Sequence, residues 1–183
     1  MLPLAGKARS AKGAPVTTAF VGLGSNLCHP RRQLARAVGA ISRLPRMSVI
    51  AVSPAYSTAP IGCETPQPDY VNAVVEVRTT LGPRALLHAL HSIERRARRR
   101  RDLEVRRNAA RTLDLDLLLY GRRRVHVPGL TVPHPRMHQR AFVLRPLVDI
   151  AAVATIPGRG LARGFLHGVR DQRIARTRSP FPR

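Results

Sequence analysis

Arg111-Thr112-Leu113-Asp114-Leu115-Asp116-Leu117-Leu118-Leu119-Tyr120, followed by Gly121, reads as the most apolar strand of the chain and decides how the rest is read. It predicts a strand over 113–120, closed by the glycine. Side chains on a strand alternate between faces, so Asp114 and Asp116 point one way and Leu113, Leu115 and Leu117 the other. Upstream of this strand, residues 18–23 form a short β-prone run that ends in Gly22-Leu23-Gly24-Ser25-Asn26, read as a turn. Pro30 then suits a first helical turn, and Leu34, Val38 and Ile41 recur at helical spacing. Val49, Ile50 and Val52 predict a strand over 47–56, and Val71, Val74, Val75 and Val77 a second over 70–77. Gly82-Pro83 opens a helix that carries Leu86, Leu87, Leu90 and Ile93 on one face.

The resulting order is strand, helix, strand, strand, helix, strand. It predicts an α+β chain with a ferredoxin-like βαββαβ core and an antiparallel sheet. A helical segment over 140–150 begins the C-terminal helical additions. Residues 1–16 are short on large apolar side chains and read as a disordered leader. Residues 17–170 form one domain, and 171–183 a loose basic tail. No internal repeat is present.

The chain has 183 residues, 32 Lys+Arg against 10 Asp+Glu, and a formal net charge of +22. Only Lys7 and Lys12 are lysines, so the charge is almost wholly arginine. An excess of this size implies an anionic partner, nucleotide or nucleic acid, or else a bias towards arginine codons. At 44% hydrophobic residues the chain can form a core. No run approaches the roughly 18 apolar residues of a membrane-spanning helix. Two cysteines, Cys28 and Cys63, are too few for a disulfide framework and fit a reducing cytoplasm.

Two acids side by side in an apolar strand repel unless a cation or an arginine separates them. Magnesium supplies that charge and accepts one or two protein carboxylates, completing its octahedron with waters and phosphate oxygens. Pairing with Arg111 is the structural alternative. Residues 94–111 hold nine arginines and three acids, a local net of +6. Arginine forks bind phosphate oxygens bidentately, whereas a solvated basic loop needs no ligand. An RNA-binding use is weakened by the lack of any Phe, Tyr or Trp between Asn72 and Tyr120. Tyr56-Ser57-Thr58-Ala59-Pro60-Ile61-Gly62 and Gln67-Pro68-Asp69-Tyr70-Val71-Asn72 form a rigid loop and strand. There Tyr70 and Asn72 share a face, and an amide offers donors and acceptors to a heterocycle. Leu130-Thr131-Val132-Pro133-His134-Pro135-Arg136-Met137-His138-Gln139-Arg140-Ala141-Phe142 adds a histidine and an arginine able to meet phosphates and a ring able to stack.

Together these elements, with Gly22-Leu23-Gly24-Ser25-Asn26-Leu27, resemble the 6-hydroxymethyl-7,8-dihydropterin pyrophosphokinase family over about residues 18–155. The Arg-Thr-Leu-Asp-Leu-Asp and Val-Pro-His…Arg-Ala-Phe elements carry most of that resemblance. It implies a folate-pathway transferase moving the diphosphate of ATP onto the hydroxymethyl oxygen of the pterin, with release of AMP. It also implies that Asp114 and Asp116 hold two magnesium ions and that Arg99 and Arg111 are catalytic. By the same resemblance Thr58, Ile61, Tyr70, Asn72 and Phe142 match the pterin pocket. Glu94, Arg101, Leu117, Thr131, His134 and Arg140 match positions around ATP. The partners implied are these two small molecules, for a cytoplasmic monomer with no membrane or nucleic-acid role. Asn108-Ala109-Ala110-Arg111 departs from the family's usual Trp-Gly-Pro-Arg or Asn-Ala-Pro-Arg and lacks a stacking aromatic. A ferredoxin-like RNA-binding module, and an inactive relative that only binds nucleotide, stand as the alternative readings.

Overall fold

The computed structural model describes residues 14–60, 66–97 and 110–177. In chain order the elements are β1 (Thr17–Ser25), α1 (Pro30–Ser42), β2 (Met47–Val52), β3 (Tyr56–Thr58) and β4 (Tyr70–Thr79). There follow α2 (Pro83–Ala97), β5 (Asp114–Tyr120), β6 (Val125–Val127), β7 (Leu130–Val132) and α3 (Ala141–Ile150). The chain closes with β8 (Thr155–Ile156), β9 (Gly160–Leu161) and β10 (Ile174–Arg176). β1 lies between β4 and β5 and is antiparallel to both. β2 and β3 both pair with the outer edge of β4, and β10 pairs with β3. β6–β7 and β8–β9 are small separate hairpins.

Period-two patterning divides the main sheet into two faces. Ala19, Val21, Leu23, Val75, Val77, Leu113 and Leu115 pack in one cluster with Leu34, Ala37 and Ile41 of α1 and Leu86, Leu90 and Ile93 of α2. Three or four residues separate these helical positions, so each helix buries one stripe. Val74 and Leu118 face the other way, and a register shift between Phe20 and Val21 in the β1–β5 ladder turns Leu119 to the same side. They pack with Val143, Leu144 and Leu147 of α3, joined by Met137, Ile156, Ala162 and Val169. The molecule is therefore three layers deep: two helices, an antiparallel sheet, then α3 with the C-terminal turns.

Three expectations need correction. The turn at Gly22 to Asn26 is instead strand as far as Ser25. Gly22 and Gly24 sit between β4 and β5, and ladders on both sides keep them extended. The strand over 47–56 is two strands, because Pro54 has no N–H to continue the ladder. Ser53 bridges the break: its N–H reaches the Val74 carbonyl at 2.9 Å, and its hydroxyl accepts from the Val74 N–H at 2.9 Å. Finally, 171–177 is not loose. Ile174 to Arg176 pairs with β3, and the Thr177 N–H bonds to the Ala55 carbonyl at 2.9 Å. Of the expected leader, residues 1–13 lie outside the described residues.

Candidate active site

The strand register assembles the site. Asn72 of β4 and Asp114 of β5 both pair with Gly24 of β1, and Val74 and Asp116 both pair with Gly22. The two aspartates thus share the face of Asn72, separated from it by a strand whose residues there have no side chain. A Cβ on Gly24 would come within 3.1 Å of Asn72 Oδ1. Thr58 lies on the same face, because the Asn72 amide donates to its hydroxyl at 2.8 Å, and both side chains are buried. Tyr70 pairs with Thr58 across the β3–β4 ladder, and its hydroxyl reaches Gln67 Oε1 at 3.4 Å. Ile61, the remaining residue of the expected pterin set on this loop, lies outside the described residues.

Arg111 pairs through its guanidinium with Asp114. Burial pulls that guanidinium down, but Asp114 first, then Tyr70 and Asp116, outweigh it and hold it above its ordinary value. The backbone at Arg111 is fixed as well: its N–H bonds to Asn26 Oδ1 at 2.8 Å and its carbonyl accepts from the Asn26 N–H at 3.0 Å. The Asn26 amide also donates to Gln67 Oε1 and the Pro68 carbonyl at 3.2 and 3.3 Å. This buried asparagine therefore ties the end of β1, the entry to β5 and the loop before Tyr70 into one unit. Sequence reasoning included Asn26 in a motif without giving it a role, because its partners are 41 to 85 residues away.

Asp116 is held well above the usual carboxylate range, first by burial and then by the charge of Asp114, with Arg140 opposing. His134 Nε2 is 3.9 Å from Asp116 Oδ2. Burial, then Arg140 and Arg136, push this imidazole down to about 4, so at neutral pH it is a neutral neighbour of the carboxylate rather than its ion-pair partner. Burial and then Arg136 also lower the Arg140 guanidinium, which lies 5.3 Å from the centre of the Phe142 ring. Glu94, at the end of α2, accepts from the Leu115 N–H at 2.8 Å and so fixes the strand carrying both aspartates.

Beside Asp116 opens a cavity of about 640 Å³, bounded by β5, the β6–β7 hairpin and α2. Leu117, Thr131 and His134 line it, together with His91 and His126, which the sequence did not single out. The His126 ring nitrogen contacts the Thr131 hydroxyl at 3.2 Å. A histidine on a short hairpin has no periodic signal to reveal it. Arg99 and Arg101 lie outside the described residues.

The 7,8-dihydro-6-hydroxymethylpterin-pyrophosphokinase (HPPK) family model matches residues 20–152. A 2-amino-4-hydroxy-6-hydroxymethyldihydropteridine pyrophosphokinase of Pseudomonas aeruginosa is 48% identical over 143 residues, covering 78% of this chain and 86% of its own. A relative of the same name from Haemophilus influenzae is 40% identical over 157 residues, covering 86% and 96%. Among solved structures, a HPPK-DHPS in complex with substrates superposes with a TM-score of 0.62 at 14% identity, covering 84% of this chain and 43% of that one. A Plasmodium falciparum HPPK-DHPS does so with a TM-score of 0.65 at 14% identity, covering 86% and 45%. The chain spans less than half the length of those solved chains, and at such identity they speak for the fold alone. On the family model and the close relatives, the chain belongs to the 7,8-dihydro-6-hydroxymethylpterin-pyrophosphokinase family.

Proposed function

We propose that Asp114, Asp116 and the groups around them carry out the reaction named by this family. The enzyme transfers the diphosphate of ATP to 6-hydroxymethyl-7,8-dihydropterin in folate biosynthesis. A bond forms between the hydroxymethyl oxygen and the β-phosphorus, the bond from that phosphorus to the α,β-bridging oxygen breaks, and AMP leaves while the hydroxyl proton is released. The observation that carries the reading is the carboxylate pair, which stands between a surface of Thr58, Tyr70 and Asn72 and the cavity of Leu117, Thr131 and His134.

The donor set fits magnesium. Among the described residues no group of three or more His, Cys, Asp or Glu side chains can hold a metal ion. Two carboxylates leave most of an octahedron to waters and phosphate oxygens, as this hard cation prefers. Asp116 has burial and Asp114 against it as an anion, so a cation there relieves a real repulsion. Asp114 and Asp116 would hold two such ions, which neutralise phosphate charge when bound.

The protein's own groups do the positioning. Asn72 and Thr58 present polar atoms to the edge of the pterin, and Tyr70 and Phe142 flank its ring. The glycine at 24 lets that ring approach the sheet beside Asp114. Arg140 and the neutral His134 meet phosphate oxygens, while Leu117, Thr131 and Glu94 define the nucleotide side. Arg111, anchored by Asn26, faces the charge that develops during transfer, and Arg99 and Arg101 add to it. No covalent protein intermediate is required; rate comes from alignment and charge neutralisation.

The same reading gives a ferredoxin-like core that extends through β10, acting as a monomer in the cytoplasm. The antiparallel strand order β5-β1-β4-β2, with α1 and α2 on one face, supports the first, and the exposed free Cys28 supports a reducing compartment. Among the described residues no helix is long and apolar enough to cross a membrane.

The test is AMP release from ATP and magnesium, with and without the pterin. The expected result is release that depends on pterin and falls by about a thousandfold or more in Asp116→Ala, as loss of a principal electrostatic group implies. Turnover by that variant at the wild-type rate would remove the carboxylate pair from the mechanism.

A further inference from the structure

The HPPK family model ends at residue 152, and the C-terminal segment beyond it returns to the residues beside the site. α3 starts with no side-chain cap from its own flanking residues. The first N–H groups of a helix have no partner within it, so they need one from elsewhere. Gln172 supplies it: its Oε1 accepts from the Ala141 N–H at 2.8 Å, and its Nε2 donates to the Gln139 carbonyl at 2.8 Å. One amide thus grips the backbone on both sides of Arg140. The next residue, Arg173, pairs with Asp69, which also accepts from the Ser57 hydroxyl at 3.2 Å. Asp69 adjoins Tyr70, and Ser57 adjoins Thr58. Beyond Arg173, β10 pairs Ile174 with Thr58.

We propose that residues 172–177 are a strap that positions both substrates, with Gln172 setting Arg140 on the nucleotide side and Arg173 setting the Thr58–Tyr70 surface on the pterin side. The proposal rests on the assignment of ATP and the pterin to these two sides. Neither side chain touches a reacting atom; each is a positioning residue that acts through a neighbour. The strap's two anchors reach different halves of the site, which a merely structural tail would not separate.

The experiment is steady-state kinetics of the full chain with each substrate varied in turn, on Gln172→Ala, Gln172→Glu and Arg173→Ala. Gln172→Ala removes both hydrogen bonds, and a loss of Arg140 positioning equal to one net bond should raise KM for ATP by about fivefold while KM for the pterin stays within about twofold. Gln172→Glu keeps an acceptor for the Ala141 N–H but sets its second oxygen against the Gln139 carbonyl, so it should recover only part of that loss. Arg173→Ala should reverse the pattern, raising KM for the pterin and leaving that for ATP. Arg173 is 67% exposed, so its variant is expected to fold even if Gln172→Ala does not. Equal changes in both KM values, or none, in an active wild-type background would overturn the strap. An inactive wild type would instead overturn the substrate assignment.

Discussion

Asp116 and Tyr56 show how one environment acts on two acids. Both are raised, but Asp116 by burial and a like charge, Tyr56 by burial and then by the carboxylate it donates to, Asp149 Oδ2 at 2.7 Å. For Asp116 the cost of staying ionised is what a cation relieves, so the strain points to a ligand. For Tyr56 the shift is a stability device that fixes β3 against α3. Its phenol is pushed up from the ordinary 10.0 to about 12. A group raised on folding contributes stability that is fully present below its unfolded pKa and lost as pH rises through its folded one. Alkaline titration of phenolate absorbance should therefore show one of the three tyrosines ionising near pH 12, with stability falling over the window from 10 to 12. Tyr56→Phe should delete that phase and cost about 1 kcal/mol at pH 8, the net value of one hydrogen bond. A phase near pH 12 that survives in Tyr56→Phe would assign it to another tyrosine.

At the scale of elements, β1 matters through its glycines. A methyl group at Gly24 would meet Asn72 Oδ1 at 3.1 Å, closer than ordinary contact, whereas one at Gly22 would meet Leu118 at 3.4 Å. Gly24→Ala should raise KM for the pterin several-fold with the fold retained, since the residue is extended strand. Gly22→Ala should leave KM unchanged and move only the melting temperature, because Leu118 belongs to the core on α3. Kinetics and thermal melts on the two variants distinguish them, and a pterin effect at Gly22 alone would mean that the pocket has been placed one pair too far along the strand. This contrast also marks where the sequence is legible. The period-two pattern of 113–120 and the helical spacing of Leu34 and Ile41, or of Leu86, Leu90 and Ile93, are local signals of burial on one face, and those elements stand where expected. Gly22 and Gly24 misled because a glycine's preference for turns is outweighed by two ladders, which depend on β4 and β5, both distant along the chain. Tyr70, Asn72, Asp114 and Asp116 could be nominated from residue type and alternation. The roles of Asn26, Gln172 and the β6–β7 hairpin could not, since each consists of contacts that only the folded chain creates.

For the whole molecule, the question is what a net charge of +22 does. Like charges destabilise a compact chain by self-repulsion, and the unfolded chain, being larger, suffers less of it. The same field draws a polyanion such as ATP towards the site. Salt screens both, with a Debye length that shrinks from about 30 Å at 0.01 M to about 10 Å at 0.1 M. The two consequences therefore have opposite signs. Raising sodium chloride from about 0.02 to 0.3 M, on either side of the salt range in which surface charges become screened, should increase the melting temperature and at the same time raise KM for ATP. KM for the neutral pterin should hold. Arg111–Asp114 and Arg173–Asp69 work against the first trend, as salt weakens such pairs, but exposed or half-exposed pairs contribute about 1 kcal/mol or less. A chain-wide repulsion outweighs them. Thermal melts and kinetics over a common salt series measure both. A melting temperature that falls with salt would mean that local ion pairs dominate the fold. A KM for ATP that does not respond would mean that the arginine excess has no part in drawing the nucleotide in.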